Sequence, residues 1–200
     1  LKSVIYLHGF NSSPQSHKAQ LCKAYFERQC PGLRLEIPKL PPSPREAIAL
    51  VDKLIESIGV QNLLGFIGSS LGAYYSMHLL ERYSLPGSSL KAVLINPALK
   101  PYELLVDYLG ENTNYYSGET YTVLPSHMDE LKSLELSPKQ NASLVSSDNV
   151  YIMTQTGDEV LDFAQALACL PKAKLWVQAG GDHAFCDFEK VLPSLQYFLL

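Results

Sequence analysis

The stretch Leu63-Leu64-Gly65-Phe66-Ile67-Gly68-Ser69-Ser70-Leu71-Gly72 runs on into Ala73-Tyr74-Tyr75-Ser76-Met77-His78-Leu79-Leu80. An apolar run, a G-x-S-x-G turn and a second apolar-rich segment predict a strand, a sharp reversal and a helix. Glycine belongs at 68 and 72 because a Cβ at either place would collide with neighbouring backbone as the chain reverses. The turn lifts the Ser70 hydroxyl over a helix N-terminus, where free N–H groups favour developing negative charge. An inert Gly-Ser turn has the same five-residue pattern, so its meaning depends on what the rest of the chain brings beside it.

Two hundred residues suit one domain with a proper core, and a hydrophobic content of 46% with 18% charged residues describes a packed globular chain rather than a disordered one. The net charge is -4 and Lys and Arg are scattered without a run, which argues against a nucleic-acid partner. No apolar stretch approaches the ~20 residues needed to span a bilayer. Leu1-Lys2-Ser3-Val4-Ile5-Tyr6-Leu7-His8-Gly9 reads as a first strand rather than a signal peptide. Cys22, Cys30, Cys169 and Cys186 are widely spaced, show no zinc-type pairing and read as free thiols in a reducing cytoplasm.

Strands and helices alternate along the chain. After the first strand comes the polar loop His8-Gly9-Phe10-Asn11-Ser12-Ser13-Pro14, then a helix capped by Ser16 and running to about residue 29. A half-buried strand covers 33–37, and Ser43-Pro44 with Glu46 opens a helix that reaches Gly59. Beyond the central turn, Pro86-Gly87-Ser88-Ser89 is a turn and Ala92-Val93-Leu94-Ile95 a buried strand. Residues 97–148 change character: tyrosines mix with Asn, Gly and Ser, with short helices expected around 101–109 and 126–134, so the segment reads as a cap-like insertion within a single domain of residues 1–200. Its tyrosines either pack the surface or shape an apolar pocket. A strand at 150–155, a helix at 160–170, a strand at 173–178 and a closing amphipathic helix, bent or broken at Pro193, complete a doubly wound, mostly parallel α/β sheet.

Three loops at strand ends carry Ser70, Asp158 and His183 in that chain order. This is the order and placement of the Ser, acid and His of an α/β-hydrolase. A neutral imidazole can take the Ser70 proton and return it to a leaving group, and a buried carboxylate fixes its tautomer. Glu159 and Asp162 are the reserve acids, and Asp182 stands too close to His183 in sequence to turn back on its ring. Cys186, three residues past His183, suggests a Cys-His pair, but a nucleophile usually meets its base from another part of the fold. The backbone N–H groups of Leu71 and Phe10 are the candidate oxyanion donors. His8 reads as a brace for the loop that carries Phe10, and His17, His78 and His127 fall in helical or surface patterns.

The chain resembles the YqiA/YcfP-type small esterases, a bacterial branch of the α/β-hydrolase superfamily. The blocks that carry the resemblance are Tyr6-Leu7-His8-Gly9-Phe10-Asn11-Ser12-Ser13-Pro14, Gly68-Ser69-Ser70-Leu71-Gly72, Asn96-Pro97-Ala98, Gln155-Thr156-Gly157-Asp158-Glu159-Val160-Leu161-Asp162 and Gly180-Gly181-Asp182-His183-Ala184-Phe185. It implies a cytoplasmic carboxylesterase or thioesterase with no metal or organic cofactor, acting on a small-molecule ester or thioester through Ser70, Asp158 and His183. The residues also leave open a hydrolase-fold protein that binds a small ligand without turning it over, and an acyltransferase.

Overall fold

The apolar runs become the middle of one sheet in the computed structural model, which describes residues 1–84, 89–146 and 148–200. Strands β1 (Lys2–Leu7), β2 (Leu33–Glu36), β3 (Leu63–Ser69), β4 (Lys91–Ile95), β5 (Gly110–Thr113), β6 (Thr120–Val123), β7 (Val150–Gln155) and β8 (Lys174–Gln178) are joined by helices. These are α1 (His17–Gln29), α2 (Pro44–Ile58), α3 (Leu71–Tyr83), α4 (Pro101–Leu104), α5 (Pro125–Ser133), α6 (Pro138–Leu144), α7 (Phe163–Cys169) and α8 (Leu192–Leu199). Six strands form one sheet in the order β2-β1-β3-β4-β7-β8, every neighbouring pair parallel, while β5 and β6 form a separate antiparallel hairpin.

Alternate residues of each strand face opposite sides of the sheet. Ile5, Leu7, Phe66, Leu94 and Ile152 pack with α2, α3 and α5 into one buried cluster, while Val4, Tyr6, Ile67, Val93 and Met153 pack with α1 and α8 into a second. Burial on both faces is why these strands read as unbroken apolar runs rather than alternating ones. Strand order reverses between β1 and β3, since the chain leaves β1 for β2 on one side and returns to β3 on the other. A crevice opens at such a switch point, outside the carboxyl ends of the strands. The loop after β1 and the turn after β3 both emerge there.

The expected doubly wound sheet is present, and several local expectations need correction. The cap-like segment expected from 97–148 holds the predicted short helices as α4, a 3-10 turn over Leu105–Tyr108, and α5, but also the unforeseen hairpin and α6. The helix expected over 160–170 begins only at Phe163, because Asp162 caps it through Ala164 N–H at 2.9 Å while Val160 and Leu161 spend their N–H groups on Asp158. Ser43 caps α2 by accepting the Glu46 N–H, as expected, whereas Ser16 occupies the cap position of α1 without a side-chain cap bond. The closing helix is broken where Pro193 stands: a 3-10 turn over Phe188–Val191 gives way to α8, with the proline in its first turn, where its missing N–H has no partner to lose. Residues 86–88 of the expected turn lie outside the described residues. Among the described residues, no helix is long and apolar enough to cross a membrane.

Candidate active site

Ser70 leaves β3 with φ 54° and ψ -116°, a backbone conformation that costs a residue with a Cβ on the order of 1–3 kcal/mol. The surroundings hold it there. Its N–H donates to Ile95 O at 3.0 Å, and its carbonyl accepts from Ala73 N–H at 3.0 Å and Ala98 N–H at 3.2 Å. The glycines on either side are sterically required: a Cβ on Gly72 would lie 1.9 Å from Leu7 O, and one on Gly68 would lie 2.4 Å from Gly72 O. The residue types at 68 and 72 therefore let α3 start hard against the end of β1.

The structure brings Ser70, His183 and Asp158 together. His183 Nε2 is 3.2 Å from Ser70 Oγ, and His183 Nδ1 is 2.9 Å from Asp158 Oδ2. The Asp158 side chain is 1% exposed and that of His183 25%. A carboxylate so buried needs donors, and besides the ring N–H it accepts Val160 N–H and Leu161 N–H, both at 2.9 Å on Oδ1. This network assigns the proton of neutral His183 to Nδ1 and leaves the Nε2 lone pair facing the Ser70 hydroxyl.

The other acids lie elsewhere. Glu159 accepts the backbone N–H of His183 at 3.0 Å, holding the main chain rather than the ring. Asp162 caps α7, and Asp182 Oδ2 accepts the Cys186 thiol at 3.1 Å. The Cys186 thiol is pushed up first by that hydrogen bond to a carboxylate, which opposes the thiolate a nucleophile would need.

Two residues to which the sequence reading assigns no role hold the His183 loop in place. Asn96 accepts Gln155 N–H at 3.1 Å on Oδ1 and donates through Nδ2 to the carbonyls of Asp182 at 3.1 Å and His183 at 3.2 Å. Gln155 accepts the N–H groups of Asp182 at 3.0 Å and Cys186 at 2.9 Å, and donates to Cys186 O at 2.8 Å. Both are buried polar residues at the ends of apolar strands, and that misplaced polarity is the signal that marks them.

On the opposite side of Ser70, the loop after β1 carries Phe10. Among the described residues, neither the Phe10 N–H nor the Leu71 N–H enters a backbone hydrogen bond outside the helices and strands, and Leu71, as the first residue of α3, has no helical partner for its own. His8 braces this loop: Nε2 accepts Leu40 N–H at 3.1 Å, which puts the ring proton on Nδ1, 3.0 Å from Gly9 O. Burial pulls the His8 pKa below its ordinary value, against the upward pull of the Gly9 carbonyl. A Cβ on Gly9 would touch Ser69 O and Ser70 Cβ, each at 3.3 Å, so glycine lets the loop lie against the serine.

A cavity of about 220 Å³ opens over the serine, lined by Ser70, His183, Leu104, Leu105, Tyr108 and Leu161 among others. The tyrosines of the segment after β4 divide between the two expected roles. Tyr108 lines this cavity, whereas Tyr115 and Tyr116 are exposed and pack edge to face on each other at 5.2 Å. His17 is exposed and His127 accepts Leu124 N–H at 3.3 Å, and neither lines the serine cavity.

The architecture matches solved structures over nearly its whole length. It is similar to Est1E from Butyrivibrio proteoclasticus with bound ferulic acid, at 11% identity and TM-score 0.72, covering 100% of this chain and 88% of that one. It is similar to a putative hydrolase from Agrobacterium vitis S4, at 15% identity and TM-score 0.76, with 100% and 88% covered. It is also similar to mouse alpha/beta hydrolase domain-containing protein 10, at 15% identity and TM-score 0.70, with 98% and 89% covered. At these identities the likeness establishes the fold, which is that of the α/β-hydrolases. A family model described as "Uncharacterised protein family (UPF0227)" matches residues 3–200, and the chain belongs to that family, of YqiA type.

Proposed function

We propose that the protein is a serine hydrolase that cleaves carboxylic esters or acyl-thioesters through an acyl-enzyme. The observation that carries this reading is the unbroken row from Ser70 Oγ to His183 Nε2 and from His183 Nδ1 to Asp158, at 3.2 and 2.9 Å. Ser70 Oγ attacks the carbonyl carbon while its proton passes to His183 Nε2. The resulting imidazolium is stabilised by Asp158, and the oxyanion lies between the N–H groups of Phe10 and Leu71. As the bond to the leaving oxygen or sulfur breaks, His183 gives that atom the proton. Water, deprotonated by the same nitrogen, then releases the acid and restores Ser70.

An esterase domain and lipolytic enzymes among the similar folds support a hydrolase, and the structure of Est1E, another of these folds, holds ferulic acid. The segment from α4 to α6 acts as a small cap whose residues Leu104, Leu105 and Tyr108 wall the serine cavity. All four cysteines are free, which favours a reducing compartment such as the cytoplasm.

The test is turnover of p-nitrophenyl esters by the wild type and Ser70→Ala, together with fluorophosphonate labelling. Loss of turnover and of label in the variant is the expected result. A Ser70→Ala protein that keeps its ester turnover overturns the reading, and an unlabelled, inactive wild type moves a binding protein ahead.

A further inference from the structure

Two cavities meet at the candidate oxyanion hole. The one over Ser70 and His183 holds about 220 Å³; the other, about 520 Å³, is lined by neither residue but by Leu40, Pro41, Leu50, Tyr75 and Tyr121 among others. They share Phe10, Asn11 and Leu71, two of which carry the oxyanion donors. The Phe10 ring touches the lining of both. Its edge-to-face neighbours are Tyr108 at 5.2 Å, from the smaller cavity, and Tyr121 at 6.1 Å, from the larger.

Resting on the serine-hydrolase reading above, we propose that the larger cavity is the acyl subsite, so that the substrates pair a bulky, largely apolar acyl group with a small alcohol or thiol. The chemistry decides which arm goes where. The departing oxygen or sulfur must take its proton from His183 Nε2, so the leaving arm occupies the cavity that His183 lines. The carbonyl oxygen points at Phe10 and Leu71, which both cavities share. The acyl arm, on the remaining side of the carbonyl carbon, continues into the cavity His183 does not line. Bond making and breaking balance as in the parent reaction: Ser70 Oγ bonds to the acyl carbon, the small alcohol or thiol leaves with the serine proton, and water releases the bulky acid.

Tyr121 lines the cavity, while its hydroxyl is sealed from solvent and has no partner among the described residues. The surrounding Leu40, Pro41, Pro42 and Leu50 offer apolar contact only along their side chains, while the Lys39–Glu119 ion pair stands exposed at the rim. The β5–β6 hairpin that supplies Tyr121 is tied to the oxyanion loop, Asn114 Nδ2 donating to Ser12 O at 2.9 Å and Tyr115 N–H to Asn11 Oδ1 at 3.1 Å. The subsite and the oxyanion donors are thus positioned by one another.

The test compares two isomers, the methyl ester of para-methoxyphenylpropanoic acid and the acetate of para-methoxyphenylethanol. The expected kcat/KM favours the methyl ester by on the order of tenfold or more. Leu50→Trp, on the 36% exposed outer wall of the cavity, should reduce that ratio several-fold, roughly the effect of filling a pocket of this kind. A wild type that prefers the acetate, or a ratio that Leu50→Trp leaves unmoved, overturns the assignment. Failure of the parent reading looks different: no turnover of p-nitrophenyl acetate and no fluorophosphonate label on Ser70, in which case the subsite assignment falls with it.

Discussion

The Asn96 side chain donates to the carbonyl of His183 at 3.2 Å across 87 positions of sequence, so the last residue before the segment that carries α4 to α6 holds the loop of the candidate general base. The same Nδ2 reaches Asp182 O and the Oδ1 accepts Gln155 N–H, which joins the ends of β4 and β7 to the His183 loop. Asn96→Ala removes all three bonds. The expected outcome is a fall in kcat of about tenfold to a hundredfold with KM little changed, because positioning acts on the transition state. Steady-state kinetics check it, with slower fluorophosphonate labelling as the second readout. A loss confined to thermal stability would reduce Asn96 to a structural role.

Asp158 fixes the His183 tautomer. Asp158→Asn keeps the shape but presents an amide N–H to Nδ1, or forces the ring to turn its proton toward Ser70. A fall in kcat of about four orders of magnitude is expected with the fold intact, by analogy with the same change in a serine protease triad. Ester kinetics beside circular dichroism separate the two effects.

Gly72→Ala places a Cβ 1.9 Å from Leu7 O, a backbone atom that cannot swing aside. Destabilisation of about 3 kcal/mol or more is expected, with loss of ester turnover as the end of β1 is pushed from α3. Gly32→Ala is the control: a Cβ there meets nothing within 4 Å, and denaturant titration should find it within about 0.5 kcal/mol of wild type.

His8 makes stability depend on pH. Its folded pKa lies below the ordinary 6.5, mainly through burial, so the unfolded chain takes up a proton that the folded one resists. Unfolding then gains protons, and stability is lost as pH falls from 6.5 toward the lowered folded pKa, levelling off below it. Protonation would also set an N–H at Nε2 against the Leu40 N–H that it now accepts. His78 is lowered for the same first cause and adds a slope of the same sign. Melting temperatures from pH 7 to about 5 should fall less steeply in His8→Gln, whose carbonyl can still accept from Leu40.

The sheet could be read from the chain because strands buried on both faces must be apolar at every position, and 63–67, 92–95 and 150–155 are nearly so. Ser70 and Asp158 could be read because each stands just past such a strand, and His183 because it follows the last, more exposed strand β8 in the same chain order. The hairpin could not. Gly110–Thr113 carries no apolar residue, and in Thr120–Val123 the inward face is only Tyr121 and Val123, too short a run to read as a strand; the pairing of Asn114 with Ser12 and Tyr115 with Asn11 ties the hairpin to a distant loop. The helical reading of 160–162 failed because local propensity carries no record that Asp158 claims the N–H groups of Val160 and Leu161. Asn96 and Gln155 show only as polar residues at the ends of apolar strands, and their partners are mostly backbone atoms, which leave no residue type to match.

The most direct measurement is acid-quenched mass spectrometry of the protein mixed with p-nitrophenyl acetate, timed against release of p-nitrophenol. An acetyl group on the peptide that carries Ser70, appearing with a burst of p-nitrophenol and absent from Ser70→Ala, is the predicted result. Ester turnover with no acetyl-Ser70 under any quench, or an adduct on another residue such as Cys186, would contradict the account at its centre.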